Sequence, residues 1–241
     1  MNNLSWESLS NNMAQWVEAT LPNAWNIRDE FFTATMETLY MLIISMVIGC
    51  LLGLVIGVIL TVTHENGILE NKPIYRILDA FVNVFRSIPF IILLAFLINV
   101  TRFIVSKTTG PTAATIPIIA STIPFYARQV ENALLEVNGG VIEAAEAMGL
   151  SYGDIIFKVY LREGFVTILR ATASTTINVL GLTAMAGTVG GGGLGTVAIA
   201  RGYQRSRFDV ILVSTLLILL IVFLSQVIFN FMIRRANKYQ S

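Results

Sequence analysis

The chain has 241 residues, of which 55% are hydrophobic and only 13% are charged, whereas about 25% of the residues in an average soluble domain are charged. The apolar residues gather in long blocks, which indicates a polytopic membrane protein rather than a large soluble core. A formal net charge of +1 gives no electrostatic basis for binding nucleic acid. The single cysteine, Cys50, excludes an internal disulfide framework.

The N-terminal segment, residues 1–32, is polar and lacks the features of a cleaved signal peptide. Its larger apolar side chains follow helical spacing up to Pro22, namely Trp6, Leu9, Met13, Trp16 and Val17. Two tryptophans on one face are typical of a helix at the membrane–water boundary. A loosely ordered tail is the alternative, and the sequence leaves the role of this segment open.

The first membrane span is predicted from about Thr33 to Val62. From Thr38 onward it has 25 residues without a charge, enough to cross about 30 Å of hydrocarbon. Gly49, Gly53 and Gly57 recur every four residues, a pattern that lets another helix approach closely. This stripe serves either a dimer contact or packing within one subunit, and we favour internal packing.

Prolines mark the second and third spans. The second span continues through Pro89 to Val100, and Pro89 is expected to kink it near its start. The third span, about Pro111 to Leu134, contains Pro117 and Pro124 and ends near Arg128 and two glutamates. Prolines and hydroxyl groups in this number are typical of a helix packed among other helices.

The fourth span, about Thr167 to Val189, is rich in Thr, Ser, Gly and Ala and contains Asn178. Such a helix is suited to a buried position or to lining a pathway rather than to lipid contact. Met185 is a candidate gate, because it is a long apolar side chain among small neighbours. The alternative is that Met185 merely fills a gap in the packing.

A glycine run follows the fourth span, made of Gly190, Gly191, Gly192, Gly193 and Gly195. It matches G-x-G-x-x-G, but it follows a membrane helix and not a strand, so a dinucleotide site is excluded by context. We expect a pliant or tightly turned exit from the span, a candidate flexible joint. The fifth span, Val210 to Ile233, has 24 residues without a charge and precedes a short tail, residues 236–241.

Five spans place the two termini on opposite sides of the membrane. With the N-terminus outside, the inner segments carry nine Lys and Arg residues and the outer segments carry six. This difference favours a cytoplasmic C-terminus. The polar segment 138–165, which is the longest charged interval between the apolar blocks, is then cytoplasmic.

The residues that would support catalysis or ion coupling are scarce. There is one His and one Cys, and His64 has no obvious partner for a catalytic triad. We expect no charge in the middle of any span, which disfavours a secondary transporter with its own coupling site. The energy for transport is therefore expected from another subunit.

The polar segment 138–165 carries a motif. Glu143, Ala144 and Ala145 are followed after three residues by Gly149, and Val159–Tyr160–Leu161 follows after a gap of nine more residues. This pattern resembles the cytoplasmic loop of ABC importer permeases, although Val159 and Arg162 stand where Ile and Pro are usual. The resemblance implies two short helices that meet at Gly149 and dock into a groove of the ATPase. Ser151 and Asp154 have the spacing of a helix cap, and the alanines keep one face low.

A second resemblance covers residues 33–235. Phe85–Phe90, Ala184–Gly187, the glycine run and Gly202–Arg205 are similar to the permeases of methionine ABC importers. This family implies an all-α, type I importer permease with five spans, acting as a homodimer in the bacterial cell membrane. It also implies two cytoplasmic ATPase subunits that bind the ATP, an external methionine-binding lipoprotein, and no cofactor or metal in the permease itself.

Other functions remain as alternatives. The same architecture could serve another amino acid or a small nutrient, because selectivity in this family lies largely in the binding protein. A stand-alone channel or secondary transporter is a different class, and an intramembrane enzyme has almost no support in the sequence.

Overall fold

The computed structural model describes residues 18–240, with side chains through residue 237. Every regular element in that part of the chain is helical. The elements are α1 (Pro22–Asn26), α2 (Arg28–Thr63), α3 (Lys72–Ser87), α4 (Phe90–Phe96), α5 (Ile98–Val105), α6 (Pro111–Leu135), α7 (Gly139–Ala147), α8 (Tyr152–Asp154, continuing through Ile155–Tyr160 and Leu161–Glu163), α9 (Phe165–Gly187), α10 (Gly193–Thr196, continuing through Val197–Gly202 and Tyr203–Arg205) and α11 (Phe208–Gln240). The predicted helix around Trp6 and Trp16 lies outside the described residues.

Three of the described helices, α2, α9 and α11, are long and apolar enough to cross a membrane. The pair α3 and α4 passes the same test only together, as a broken span. The third predicted span, α6, has 25 residues and is the least apolar of the set because of its prolines and charges. It is also the helix around which the others pack, so most of its surface does not need to be lipophilic.

The glycine stripe of α2 packs against α6 within the chain. A Cβ at Gly49 would lie 2.6 Å from the Thr122 side chain, and one at Gly57 would lie 2.7 Å from the Ala127 carbonyl oxygen. At Gly53 the nearest atom is a backbone oxygen of α6 at 2.9 Å. The absence of side chains at these three positions is what allows the two longest central helices to touch along their length. Internal packing, and not a dimer contact, explains the stripe.

Pro89 breaks the chain more sharply than predicted. The expected kinked helix through Val100 is absent, and α3 and α4 instead meet at an angle of 103°. The ring of Pro89 disfavours helical backbone at the residue before it, and Ile88 is accordingly extended at φ −78° and ψ 121°. Pro117 and Pro124, by contrast, lie within the uninterrupted helix α6.

The helix of the first predicted span also begins earlier than predicted. Helix α2 starts at Arg28 rather than near residue 33, and its first turn includes Asp29 and Glu30. The preceding short helix α1 is fixed by Asp209, whose carboxylate accepts the backbone N–H groups of Asn23 at 2.8 Å and Ala24 at 3.1 Å. The start of the described chain is thereby joined to the start of α11.

The core has two main parts, one towards each end of the bundle. The part near the glycine turn (residues 190–195) contains buried side chains of α2, α6, α9 and α10, such as Met41, Ile118 and Leu194. The part near the polar segment contains Tyr126, Val130 and Leu134 of α6 together with Ile155 and Tyr160 of α8. The outward surfaces of α2 and α11 carry exposed Leu, Ile, Val and Phe, which is the composition expected for lipid contact.

Candidate functional site

The polar segment 138–165 folds into two short helices joined at Gly149. Helix α7 ends at Ala147, and Gly149 then adopts φ +75°, a conformation that is costly for any residue with a Cβ. Asn138 caps the start of α7 by accepting the Gly140 N–H at 2.9 Å. The expected two-helix geometry with its glycine joint is therefore present.

The start of the second helix is capped as the sequence spacing indicates. The Asp154 N–H donates to the Ser151 hydroxyl at 3.2 Å, and that hydroxyl donates to the Asp154 carboxylate at 2.6 Å. Lys158 forms an ion pair with the same carboxylate at 2.5 Å. These bonds, with Lys158 the larger cause and Ser151 the next, hold the pKa of Asp154 below its ordinary value.

The second helix widens after its first turn. The Leu161 N–H donates to the Ile156 carbonyl, five residues earlier, which is the hydrogen-bond pattern of a π-helical turn. Arg162 stands where a proline is usual, and the helix continues through it to Glu163. A break comes only at Gly164, where a Cβ would lie 2.8 Å from the Leu134 side chain.

The sequence motif divides between a buried and an exposed side. Ala145 is buried against the ends of α6 and α8, whereas Glu143 and Ala144 are exposed. Of the three alanines expected to keep one face of the segment low, Ala144 and Ala147 are exposed, whereas Ala145 is buried and its side chain holds α7 to the rest of the chain.

Large apolar side chains occupy the exposed side of the segment. Met148 is 73% exposed and Phe157 is 72% exposed, and Tyr152 is exposed between them. Sequence reasoning missed these three residues because it looked for small side chains. Their apolar character at polar positions of a hydrophilic segment is the sequence signal that would have found them.

A cleft of about 400 Å³ lies beside α7. One wall is the loop that follows α2, including His64 and Ile68, and the other wall includes Glu143 and Glu146 of α7. The polar segment thus stands next to the loop between α2 and α3, and the two form one continuous surface at this end of the bundle.

Met185 lies on the open face of α9, which we define as Arg170, Ser174, Asn178, Gly181, Met185 and Thr188. These residues recur every three or four positions, so they share one side of the helix, and all of them are exposed within the single chain. Met185 itself is 42% exposed. The side chain therefore does not fill a gap in the core of one chain, and it points away from the bundle.

The glycine turn 190–195 is a tight, anchored turn. Gly190, Gly192 and Gly193 all have φ between +71° and +81°. The Gly193 N–H donates to the Glu37 carboxylate at 2.7 Å, and the Leu194 N–H donates to the Thr38 hydroxyl at 2.9 Å. Of the two expected forms, pliant and tightly turned, the geometry is that of the second.

The remaining two glycines of the run, Gly191 and Gly195, lie so close to the backbone of α9 that a side chain would not fit. A Cβ at Gly195 would lie 2.4 Å from the Ala184 carbonyl oxygen, and one at Gly191 would lie 2.7 Å from the Ala186 carbonyl oxygen. The turn is therefore packed directly on the last residues of α9, one turn from Met185.

A buried charge network links α3 to α6. Arg128 forms an ion pair with Glu131 at 2.5 Å and a second ion pair with Asp79, and it donates to the Asn83 amide oxygen at 3.1 Å. Tyr75 donates to the other oxygen of Glu131 at 3.2 Å. Glu131 is only 1% exposed. Burial of a carboxylate to this extent is stable only when the carboxylate is paired and hydrogen-bonded.

Arg128 and Glu131 lie in the last third of α6, near the end of the third predicted span. Hydrogen bonds join both of them to α3. Their spacing of three residues on one helical face is the sequence signal for the pairing between them. Among the described residues, no group of three His, Cys, Asp or Glu side chains is arranged to hold a metal ion.

Residues 49–238 match the family model described as the binding-protein-dependent transport system inner membrane component. The chain belongs to this family. A permease of this family is a transport subunit of a bacterial ABC importer in the membrane, and ATP hydrolysis belongs to partner ATPase subunits.

Named relatives of this permease family cover almost the whole chain. The probable D-methionine transport system permease protein MetI of Vibrio cholerae is 42% identical over 94% of this chain and 98% of its own length. The methionine import system permease protein MetP of Bacillus subtilis is 44% identical over 83% of this chain and 90% of its own length.

A solved structure agrees in fold with this permease. The structure described as an inward-facing conformation of the MetNI methionine ABC transporter has a TM-score of 0.85 and 39% sequence identity, and it covers 88% of this chain and 98% of the matched chain. The similarity in fold therefore extends over most of the chain.

Proposed function

We propose that this permease forms the membrane pathway for methionine in an ATP-driven importer. It acts as a homodimer, receives methionine from an external binding protein, and is driven by two cytoplasmic ATPase subunits that bind the ATP. The observation that carries the proposal is the exposed two-helix segment 138–165 on a bundle whose similar, named relatives are methionine permeases.

The polar segment 138–165 has the construction of a docking element for the ATPase. Ala145 and Ile155 fix it to the bundle, while Met148, Tyr152 and Phe157 stay exposed and offer apolar area to a groove. Glu143 and Glu146 add carboxylates at the rim, beside the cleft. Buried aromatic and Met side chains surrounded by charges are the usual composition of an interface centre and rim.

The orientation follows from this docking role. The polar segment must face the cytoplasm to meet an ATPase, which agrees with the nine inner and six outer Lys and Arg residues. The N-terminus and the glycine turn then face outwards, where a binding protein would deliver its substrate.

The open face of α9 supports the homodimer and the gate. A membrane helix with Ser, Asn and Gly on its exposed side is poorly suited to lipid, so a second copy must stand opposite to enclose it. Met185, near the outer end of α9, would then project into the enclosed pathway as a gate.

Uptake of labelled methionine by proteoliposomes that contain this permease, its ATPase and its binding protein tests the proposal. Uptake should require ATP and the binding protein. Uptake without ATP would indicate a secondary transporter or a channel. Uptake of a different amino acid and not of methionine would agree with the proposed importer architecture and contradict methionine as the substrate.

Two substitutions test the assigned residues. Replacing Glu143 and Gly149 together should reduce co-purification of the ATPase while the permease still inserts in the membrane; an unchanged yield of ATPase would contradict the docking role. Met185→Ala should change the uptake rate or the ATPase activity in the absence of substrate, and wild-type behaviour in both would leave Met185 without a gating role.

A further inference from the structure

Most of the hydroxyl groups along α9 are hydrogen-bonded within the helix. The hydroxyl groups of Thr172, Thr175, Thr176 and Thr183 each donate to a backbone carbonyl three or four residues earlier. In the part of the chain with described side chains, the carboxamide of Asn178 and the hydroxyl of Ser174 have no hydrogen-bond partner. Ser174 and Asn178 therefore lie one helical turn apart on the same exposed face.

Unpaired polar groups of this kind distinguish the open face from the lipid-facing surface. Transfer of an amide from water to hydrocarbon without a hydrogen bond costs roughly 4–8 kcal/mol, and lipid offers no partner. The outward side of α11, in contrast, carries apolar residues such as Leu216, Leu220 and Phe223. Asn178 is thus suited to a surface that provides water or another polar molecule.

The neighbours of Asn178 on the open face change character along the helix. Met185 lies seven residues further on, about 10 Å along the axis, and Gly181 between them leaves space, since a Cβ there would meet nothing within 4 Å. In the other direction, Arg170 forms no ion pair with any described residue. The open face thus changes along the helix axis. It begins with the apolar side chain of Met185, continues through the open space at Gly181 to the unpaired polar groups of Asn178 and Ser174, and ends at the unpaired cation of Arg170.

We infer that Asn178 and Ser174 form a polar station in the pathway that binds the charged groups of a free amino acid as it passes. The carboxamide of Asn178 can donate to the carboxylate of the amino acid and accept from its ammonium group, and the Ser174 hydroxyl can do the same. An apolar side chain of the amino acid fits the gap at Gly181, towards Met185. Arg170 then draws the carboxylate towards the inner end. This inference rests on the proposed function.

Cysteine accessibility in the assembled transporter tests the position of the station. Asn178→Cys and Leu216→Cys are made in a Cys50→Ala background and treated with a small charged methanethiosulfonate reagent from the cytoplasmic side. The cysteine at 178 should react, and methionine should slow the reaction, whereas the matched cysteine at 216 on the lipid-facing surface should not react. A cysteine at 178 that is inert, or that only forms a disulfide with the second copy, would overturn the inference.

Transport kinetics test the role of the polar station formed by Asn178 and Ser174. Asn178→Leu should lower the maximal uptake rate about tenfold, the effect of losing a hydrogen bond to a charged group, and leave the half-saturating methionine concentration unchanged, because the binding protein sets it. Asn178→Gln should restore part of the rate. A wild-type rate in Asn178→Leu would refute the station alone, whereas absence of ATP-dependent methionine uptake by the unsubstituted permease would refute the proposed function.

Discussion

Two glycine-containing joints of this permease, Gly149 in the polar segment and the glycine turn 190–195, look alike in sequence and differ in what they demand. Gly149 has φ +75°, and a Cβ there would meet nothing within 4 Å. Gly193 has φ +71°, and a Cβ there would lie 2.6 Å from the Thr38 hydroxyl. The first joint needs glycine only for its backbone conformation, while the second needs it also for space.

The surroundings of the two joints differ in the same sense. The Glu37 carboxylate and the Thr38 hydroxyl accept hydrogen bonds from the glycine turn. The Thr196 hydroxyl, just after the turn, donates to the Gly187 carbonyl at 3.0 Å. The polar segment leaves about three quarters of the surface of Met148 and Phe157 exposed. One joint completes the inside of the bundle, and the other presents a surface to a partner. Substitutions in the glycine turn should therefore lower the stability of the permease, and substitutions at Gly149 should weaken its assembly with the ATPase.

Gly195→Ala should have the largest effect on the stability of the permease. Its Cβ would lie 2.4 Å from the Ala184 carbonyl oxygen, and neither backbone can move without displacing α9 from α10. We expect a loss of about 3 kcal/mol, the upper end for overpacking, measured as the thermal midpoint of the purified permease in detergent. Gly181→Ala on the same pair of elements is the matched control and should change the midpoint little, because space is open there. Equal effects of the two substitutions would contradict the distinction.

Glu37→Ala should have the second-largest effect on the stability of the permease. The carboxylate accepts the Gly193 N–H at 2.7 Å, and its removal leaves that donor without a partner at a partly buried position. A loss of about 2 kcal/mol is expected for a hydrogen bond to a charged group. Glu37→Gln keeps an acceptor oxygen and should recover part of it in the same thermal measurement. If Glu37→Ala has the stability of the unsubstituted permease, the turn is not anchored as described.

The comparison also shows how far the sequence alone determines this structure. The all-helical bundle, the two-helix polar segment and the Ser151–Asp154 cap follow from local patterns, because charge-free length, glycine spacing and capping residues act over a few neighbouring positions. The burial of Ala145 and of Glu131 depends on which helices meet in space. The 103° break at Pro89 was located but underestimated, since the sequence shows the proline and not the direction that the chain takes afterwards.

The functional surfaces were predictable to a similar extent. The open face of α9 was recognisable as a helix unsuited to lipid, and the structure adds which side of it stays exposed. Met148 and Phe157 were missed because their role arises from the face on which the glycine joint places them. The anchoring of the glycine turn by Glu37, 156 residues away, is a long-range contact that no local pattern indicates.

Gly149→Ala should have a smaller effect on stability than either change at the glycine turn. A residue with a Cβ in this left-handed conformation costs roughly 1–2 kcal/mol, and no clash adds to it. The main result should be weaker assembly, because a relaxed backbone would turn α7 relative to α8 and move Met148 away from Phe157. The yield of co-purified ATPase measures this, and Gly149→Asn, which tolerates the conformation better, should retain more ATPase. A lowered midpoint with an unchanged ATPase yield would show the joint to be structural only.

Ser151→Ala should produce the smallest and most local effect. Loss of the cap costs about 1 kcal/mol, so amide hydrogen exchange in the first turns of α8 should become about fivefold faster, while exchange in α7, which Asn138 caps independently, should not change. The pKa of Asp154 is lowered in the folded chain, so its contribution is complete above the pKa of an unfolded Asp, about 3.9, and is lost as the pH falls through the lower folded value. The ratio of exchange rates should therefore stay constant between about pH 5 and pH 8. A ratio that varies across that range would show that a group other than Asp154 controls this end of the helix.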